Sequence, residues 1–226
     1  MAKFYTNFSE YTLGQTIGDI DWSQWFGEPN PDDAYTIIEH NSERAFEFDS
    51  SKSSGANHYV SWDKTGQSRD AEIYTDIYVE GGGFGNVGSL IVQAKEESSR
   101  DAGYLTDFRS DQFSLAKYED GSRTTFANVD EVVDPISRRK IRIRREGDYL
   151  KGKHWDYTES EPSGWDIELS DDTIDFSQRH AIGNLNGRDF RIFEFGVGTN
   201  GDSAPTSITE AIDKPSSPTN LTTELI

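Results

Sequence analysis

The stretch Glu72-Ile73-Tyr74-Thr75-Asp76 puts two acidic side chains and a tyrosine on one face of an extended chain. Paired carboxylates are the tools of glycoside hydrolysis, one giving a proton and the other attacking or activating water. Retaining enzymes hold the two carboxyls about 5–5.5 Å apart and inverting ones about 6.5–9.5 Å apart. At roughly 3.3 Å per residue, the backbones of Glu72 and Asp76 lie about 13 Å apart along a strand. That strand alone does not build the pair, so hydrolysis would need a carboxylate from a neighbouring strand.

Other chemistries find less support. His40, His58, His154 and His180 are scattered without a ligand spacing, and each reads as a packing or surface residue. A Gly-x-Ser-x-Gly elbow is missing. Gly81-Gly82-Gly83-Phe84-Gly85 lacks the Lys-Ser/Thr of a phosphate loop and reads as a turn. Zero Cys excludes a thiol nucleophile, a disulfide framework and a Cys-ligated zinc. Asp171, Asp172 and Asp175, with Asp189, are calcium candidates, because calcium favours several oxygen ligands; the competing reading is a set of solvated acids.

Basic residues concentrate at one place. Arg138, Arg139, Lys140, Arg142, Arg144 and Arg145 supply six of the 22 Lys and Arg within eight positions. Lys140, Arg142 and Arg144 share a face opposite Ile141 and Ile143, as Glu72, Tyr74, Asp76 and Tyr78 share one opposite Ile73, Ile77 and Val79. If both strands lie in one sheet, the two polar faces neutralise each other through cross-strand pairs. A sharper reading is a concave groove for a polar polymer such as an acidic glycan, and a third is a protein–protein contact. The groove's carbohydrate-binding candidates are Glu72, Tyr74, Asp76, Tyr78, Arg142 and Arg144.

Short apolar-alternating runs separated by Gly, Asp, Asn and Ser must position these residues. Candidates are 35–39, 45–48, 59–62, 72–79, 89–94, 103–109, 112–118, 138–145, 149–155, 165–169 and 190–197. Asp120-Gly121 and Gly147-Asp148 read as hairpin turns. Amphipathic helices of ten or more residues are not evident. Eight to twelve such strands predict an all-β, antiparallel two-sheet jelly-roll sandwich. We place it at residues 1–202, followed by an extended Ser/Thr/Pro-rich tail at 203–226 for subunit contacts. That tail holds Pro205, Pro215 and Pro218 and no aromatic residue, so it has little apolar surface with which to order itself.

The 226 residues carry 41 Asp and Glu against 22 Lys and Arg, a net charge of −19. Such a chain repels nucleic acid and anionic membrane, and no run of about 18 apolar residues spans a bilayer. Residues 1–11 hold no apolar stretch of a cleaved export signal, so any export is expected by another route. Abundant acid, only nine Lys and no Cys suit a protein kept soluble in strong salt, as in a halophilic source.

Several motifs carry a resemblance. They are Gly88-Ser89-Leu90-Ile91-Val92-Gln93-Ala94, Lys117-Tyr118-Glu119-Asp120-Gly121, Lys151-Gly152-Lys153-His154-Trp155, Glu161-Pro162-Ser163-Gly164-Trp165 and Phe195-Gly196-Val197-Gly198-Thr199-Asn200-Gly201. This order resembles the concanavalin A-like lectin/glucanase superfamily, and more narrowly the jelly-roll modules of structural proteins of tailed viruses. The resemblance implies a non-enzymatic virion protein of the head or tail. Other virion proteins and copies of itself would be its partners, with host surface glycan as a further contact and the extracellular particle as its location. A free polysaccharide-binding protein or a glycoside hydrolase of the same fold, secreted or at the cell surface, is the alternative. In the family a calcium ligand can come from the final strand, where this chain has Phe193. Trp155 and Trp165 are expected in the core between the sheets, with Trp165 opening a strand.

Overall fold

A computed structural model of the chain describes residues 2–27, 32–52, 58–79, 89–91, 102–108, 112–119, 122–130, 138–174, 178–184 and 189–211. Its strands are β1 (Ala2–Thr6), β2 (Trp22–Gly27), β3 (Tyr35–His40), β4 (Glu43–Phe48), β5 (His58–Trp62), β6 (Gln67–Ser68), β7 (Ala71–Val79), β8 (Ser89–Ile91), β9 (Ala102–Phe108), β10 (Gln112–Glu119), β11 (Ser122–Asp130), β12 (Arg138–Glu146), β13 (Tyr149–Asp156), β14 (Ile167–Ser170), β15 (Gln178–Arg179), β16 (Ala181–Asn184) and β17 (Phe190–Thr199). One short helix, α1 (Ile208–Ala211), follows.

Two antiparallel sheets face each other, as the alternating sequence predicts. The first runs β14-β13-β12-β7-β17-β4-β3, with β1 also on β17; the second runs β11-β10-β9-β8-β16-β5-β2. Strands β1, β2, β6, β11, β15 and β16 were not among the sequence candidates. β11 is mostly polar and has no fully buried residue among 122–129, so it carries little of the apolar alternation that marks a strand. The run expected at 89–94 is described only to Ile91, and the turn expected at 81–85 lies outside the described residues.

The core fills the space between the sheets. Ile73 and Ile77 on β7, Ile141 and Ile143 on β12, and Phe195 and Val197 on β17 point inward. They meet Trp22 and Trp62 of the second sheet, whose indoles stack 5.8 Å apart; Trp22 lies 5.1 Å from the Phe195 ring. Burying each such side chain contributes about 1.5–3 kcal/mol.

Trp155 is 5% exposed, as large aromatics usually are in a fold, but it does not sit between the sheets. Leu150, Gly152 and His154 are the inward residues of β13, with the His154 ring 4.7 Å from Phe113 of the facing sheet. Trp155 therefore points to the outer face, where it packs with Tyr5, Tyr74 and Ala204. Trp165 is half-buried and precedes β14, which starts at Ile167. Lys153 lies 4.8 Å from the Trp165 ring and also pairs with Glu161 at 2.6 Å.

Residues 203–211 do not hang free. Arg142 donates to the Ala204 carbonyl at 2.9 Å, and the Ala204 amide donates to Glu72 at 3.1 Å. Gly196 and Gly198 make room: a Cβ on either would overlap the Pro205 or Asp202 carbonyl. The boundary expected after residue 202 thus falls within a segment strapped across the outer face of the first sheet. Residues 212–226 lie outside the described residues.

Candidate functional site

Antiparallel register brings the charged strands together. On β12 and β7, Arg138 faces Tyr78, Lys140 faces Asp76, Arg142 faces Tyr74 and Arg144 faces Glu72. All five of Glu72, Tyr74, Asp76, Arg142 and Arg144 therefore lie on one outer face, with Tyr78 at its end. Their charges are spent on one another. Glu72 is 2% exposed and is bound by Arg142 and, at 3.2 Å, by Arg144. Arg142 also reaches Glu161 at 2.8 Å. With Ala204 closing over them, Glu72 and Arg142 form a sealed ionic cluster rather than an open groove wall. The cross-strand neutralisation read from the sequence describes this end of the face.

The other end is open. Its key residue, Glu194, was not a sequence candidate. The register of β17 against β7 slips between Ile192 and Glu194, which is a β-bulge holding one extra residue, Phe193. Both Phe193 and Glu194 consequently project on the outer face, while Ile192 and Phe195 project inward. The signal was legible: Phe190 and Ile192 share one parity and Phe195 and Val197 the other. The inward face of one strand cannot switch parity without an inserted residue.

The bulge coincides with a split in the sheet. On the edge of β17 away from β7, β1 pairs from Thr199 to Phe195, and β4 pairs only from Ile192 to Phe190. Between them opens a cavity of about 290 Å³ lined by Asn7, Glu43, Arg44, Arg138, Phe193 and Glu194. Ser42 also lines it; Asn41 and Ser42 have φ of 52° and 68°, the two-residue hairpin turn with both residues left-handed. The volume is at the lower edge of the roughly 300–1,000 Å³ of small-ligand sites.

Arg138 organises the cavity wall. Its guanidinium donates to both oxygens of Asp76, at 2.7 and 3.0 Å, and also binds Glu43. It lies 3.7 Å over the Phe193 ring. Asp76 is 2% exposed, and burial raises its carboxyl to about 6 despite the opposing pull of Arg138; nearby Glu194 adds to the rise. Glu194 accepts the Tyr74 hydroxyl at 2.6 Å, and its charge also acts on the Tyr5 phenol. Burial and the Glu194 charge push both phenols well above their ordinary range, so both stay protonated donors. Arg44 has its Nη1 buried with no hydrogen-bond partner. Tyr78 is not part of the lining and lies 5.3 Å from the Arg191 guanidinium.

Asp171, Asp172 and Asp189, the calcium candidates within the described residues, are not gathered around one point. Asp171 accepts the Tyr104 hydroxyl and the Thr173 amide, and the Lys117 ammonium lies 3.6 Å away, where a second cation would be repelled. Asp172 is exposed, Asp189 accepts the Ser50 amide at 2.6 Å, and Asp175 lies outside the described residues. Among the described residues no three acidic or histidine side chains gather as ligands. Phe193, at the position aligned with a family calcium ligand, instead supports Arg138. His40 packs beside Tyr78, with ring centres 6.1 Å apart. His180 is fully buried between Ser68, at 3.0 Å, and Thr65, at 3.2 Å.

No protein-family model and no curated protein matches the chain. Solved structures do. It is similar to the carbohydrate-binding module CBM66 of Bacillus subtilis, with 16% identity, covering 76% of this chain and 92% of that one at a TM-score of 0.54. A Bacteroides ovatus mixed-linkage glucan GH16 protein in complex with a G4G4G3G product is 7% identical, with coverage of 86% and 99% and a TM-score of 0.56. The exoplasmic/lumenal domain of VIP36 in its Ca²⁺/Man3GlcNAc-bound form is 12% identical, with coverage of 80% and 87% and a TM-score of 0.50. At such identities the likeness shows the fold, which is that of the concanavalin A-like lectins and glycoside hydrolases.

Proposed function

We propose that this protein is a non-enzymatic, lectin-like module that binds glycan at the split-edge cavity. The observation that carries this reading is the state of the carboxylates. Glu72 is sealed under Ala204, and both oxygens of Asp76 are held by Arg138. Neither can meet a glycosidic oxygen, and Glu43 at the cavity wall is ion-paired to Arg138, which leaves Glu194 as the lining carboxylate that this arginine does not hold. Hydrolysis needs two. The names of the three structural neighbours, each of which names carbohydrate binding, a bound sugar or a sugar product, support a glycan as the ligand. Isothermal titration against an oligosaccharide panel, alongside reducing-sugar release, tests the reading; saturable binding without release is the expected result.

One observation favours hydrolysis. Asp76 keeps its proton up to about pH 6 and stands opposite Glu194, and a buried carboxyl raised in this way is the usual acid of a glycosidase. Sugar release abolished by both D76N and E194Q would establish that reading instead.

The wider setting is part of the proposal: a homo-oligomeric structural protein in the head or tail of a tailed virus, touching other virion proteins and host surface glycan. Its support is the sequence resemblance and the acidic, Cys-free composition. Deleting residues 215–226 is expected to leave melting nearly unchanged and to reduce incorporation into particles. Normal incorporation of the truncated chain would remove the tail from this scheme.

A further inference from the structure

Building on the glycan-binding reading, we infer that the split-edge cavity takes an uncharged sugar ring, clamped through neighbouring hydroxyls between Arg44 and Glu194. The cavity's charges decide against an acidic sugar. Arg138 is already held by Asp76 and Glu43, so its charge is spent. In the wall Arg44 and Arg138 stand against Glu43 and Glu194, and the buried Asp76 behind Arg138 tips the balance negative. A carboxylated sugar would enter a net negative site on a chain of charge −19.

Hydroxyls fit what remains. Each can donate and accept at once. Arg44 Nη1 is a buried donor lacking an acceptor, and a buried unmet donor is costly unless a ligand satisfies it. Glu194 accepts the Tyr74 phenol from the sheet side, and a carboxylate has about four lone-pair sites, so it retains capacity toward the cavity. A ring with adjacent hydroxyls can accept from Arg44 and donate to Glu194. Stacking does not contribute, because the Arg138 guanidinium already covers the Phe193 ring. Recognition therefore rests on hydrogen bonds and is indifferent to bulk salt.

The test is calorimetric titration of the full chain at pH 7 with maltotriose, cellotriose, mannotriose and 1-kestose, and with tri-galacturonate as the acidic probe. Each is run at roughly 0.05 and 1 M NaCl, where the Debye length falls from above 10 Å to about 3 Å. We expect at least one neutral ligand to bind with little salt dependence. R44M and E194Q should each weaken it roughly tenfold or more while the variants stay folded. Should either variant unfold, R44K is the substitute, since it keeps the charge and loses the planar fork. Binding of tri-galacturonate alone, lost at high salt, overturns this inference and leaves glycan binding intact. Neutral binding unaffected by R44M, R44K and E194Q places the ligand elsewhere and also overturns it. Failure of every sugar to bind overturns the glycan-binding reading itself.

Discussion

The Tyr74 hydroxyl donates to Glu194 Oε2 at 2.6 Å, across the junction of β7 and β17. Tyr74 occupies the centre of the Glu-x-Tyr-x-Asp face, and Glu194 stands opposite Asp76 only because Phe193 is bulged out. This contact joins the sealed half of the face to the open half. Y74F should cost about 0.5–1.5 kcal/mol, because a part-buried hydrogen bond is lost. It should also weaken glycan binding by freeing Glu194 to move. Chemical denaturation and titration of the same variant check both effects. An unchanged affinity would detach Tyr74 from the site.

Arg138 and Asp76 should behave as a coupled pair. R138M leaves Asp76 buried without its cation and should destabilise by about 3–5 kcal/mol at pH 7. D76N with R138M should recover much of that loss. A double-mutant cycle with coupling below about 0.5 kcal/mol would mean the pair is not a unit.

Two buried groups should oppose each other in acid. Asp76 titrates near 6 in the fold against an ordinary 3.8, so the native state holds the extra proton between those values. That contribution falls by roughly 3 kcal/mol as pH rises from about 4 to 6. Burial lowers His180 to about 4 from 6.5, so here the unfolded chain holds the extra proton. Stability from His180 rises by a similar amount over nearly the same window. D76N should therefore expose a steep loss of stability below pH 6, and H180Q the opposite slope. Denaturant midpoints from pH 4 to 7 check this; parallel profiles for the two variants would refute it.

The strap should be separable from the sandwich. G196A forces a Cβ into the Pro205 carbonyl, and such overpacking costs about 1–3 kcal/mol. Displacing the strap should uncover Trp155 and Tyr74, read as a shift in tryptophan emission and faster amide exchange on β17. Unchanged emission would show that the segment adapts in place.

Screening of the −19 charge should raise the melting temperature as NaCl goes from low to molar levels. A flat or falling trend would count against adaptation to strong salt.

Period-two alternation is a local property, so the sequence alone determined the antiparallel β class, the inward faces of 72–79 and 138–145, and the composition of the polar face. The parity slip between Ile192 and Phe195 was equally legible and implies a bulge. What that bulge does depended on tertiary structure: β1 and β4, far apart in sequence from β17, share its edge and part at Phe193. Trp155 shows the same limit. Its burial was readable, but its side was not, because the outer face is itself covered by residues 203–205. A local pattern says which residues share a face. Only the packed chain decides which neighbour, if any, covers it.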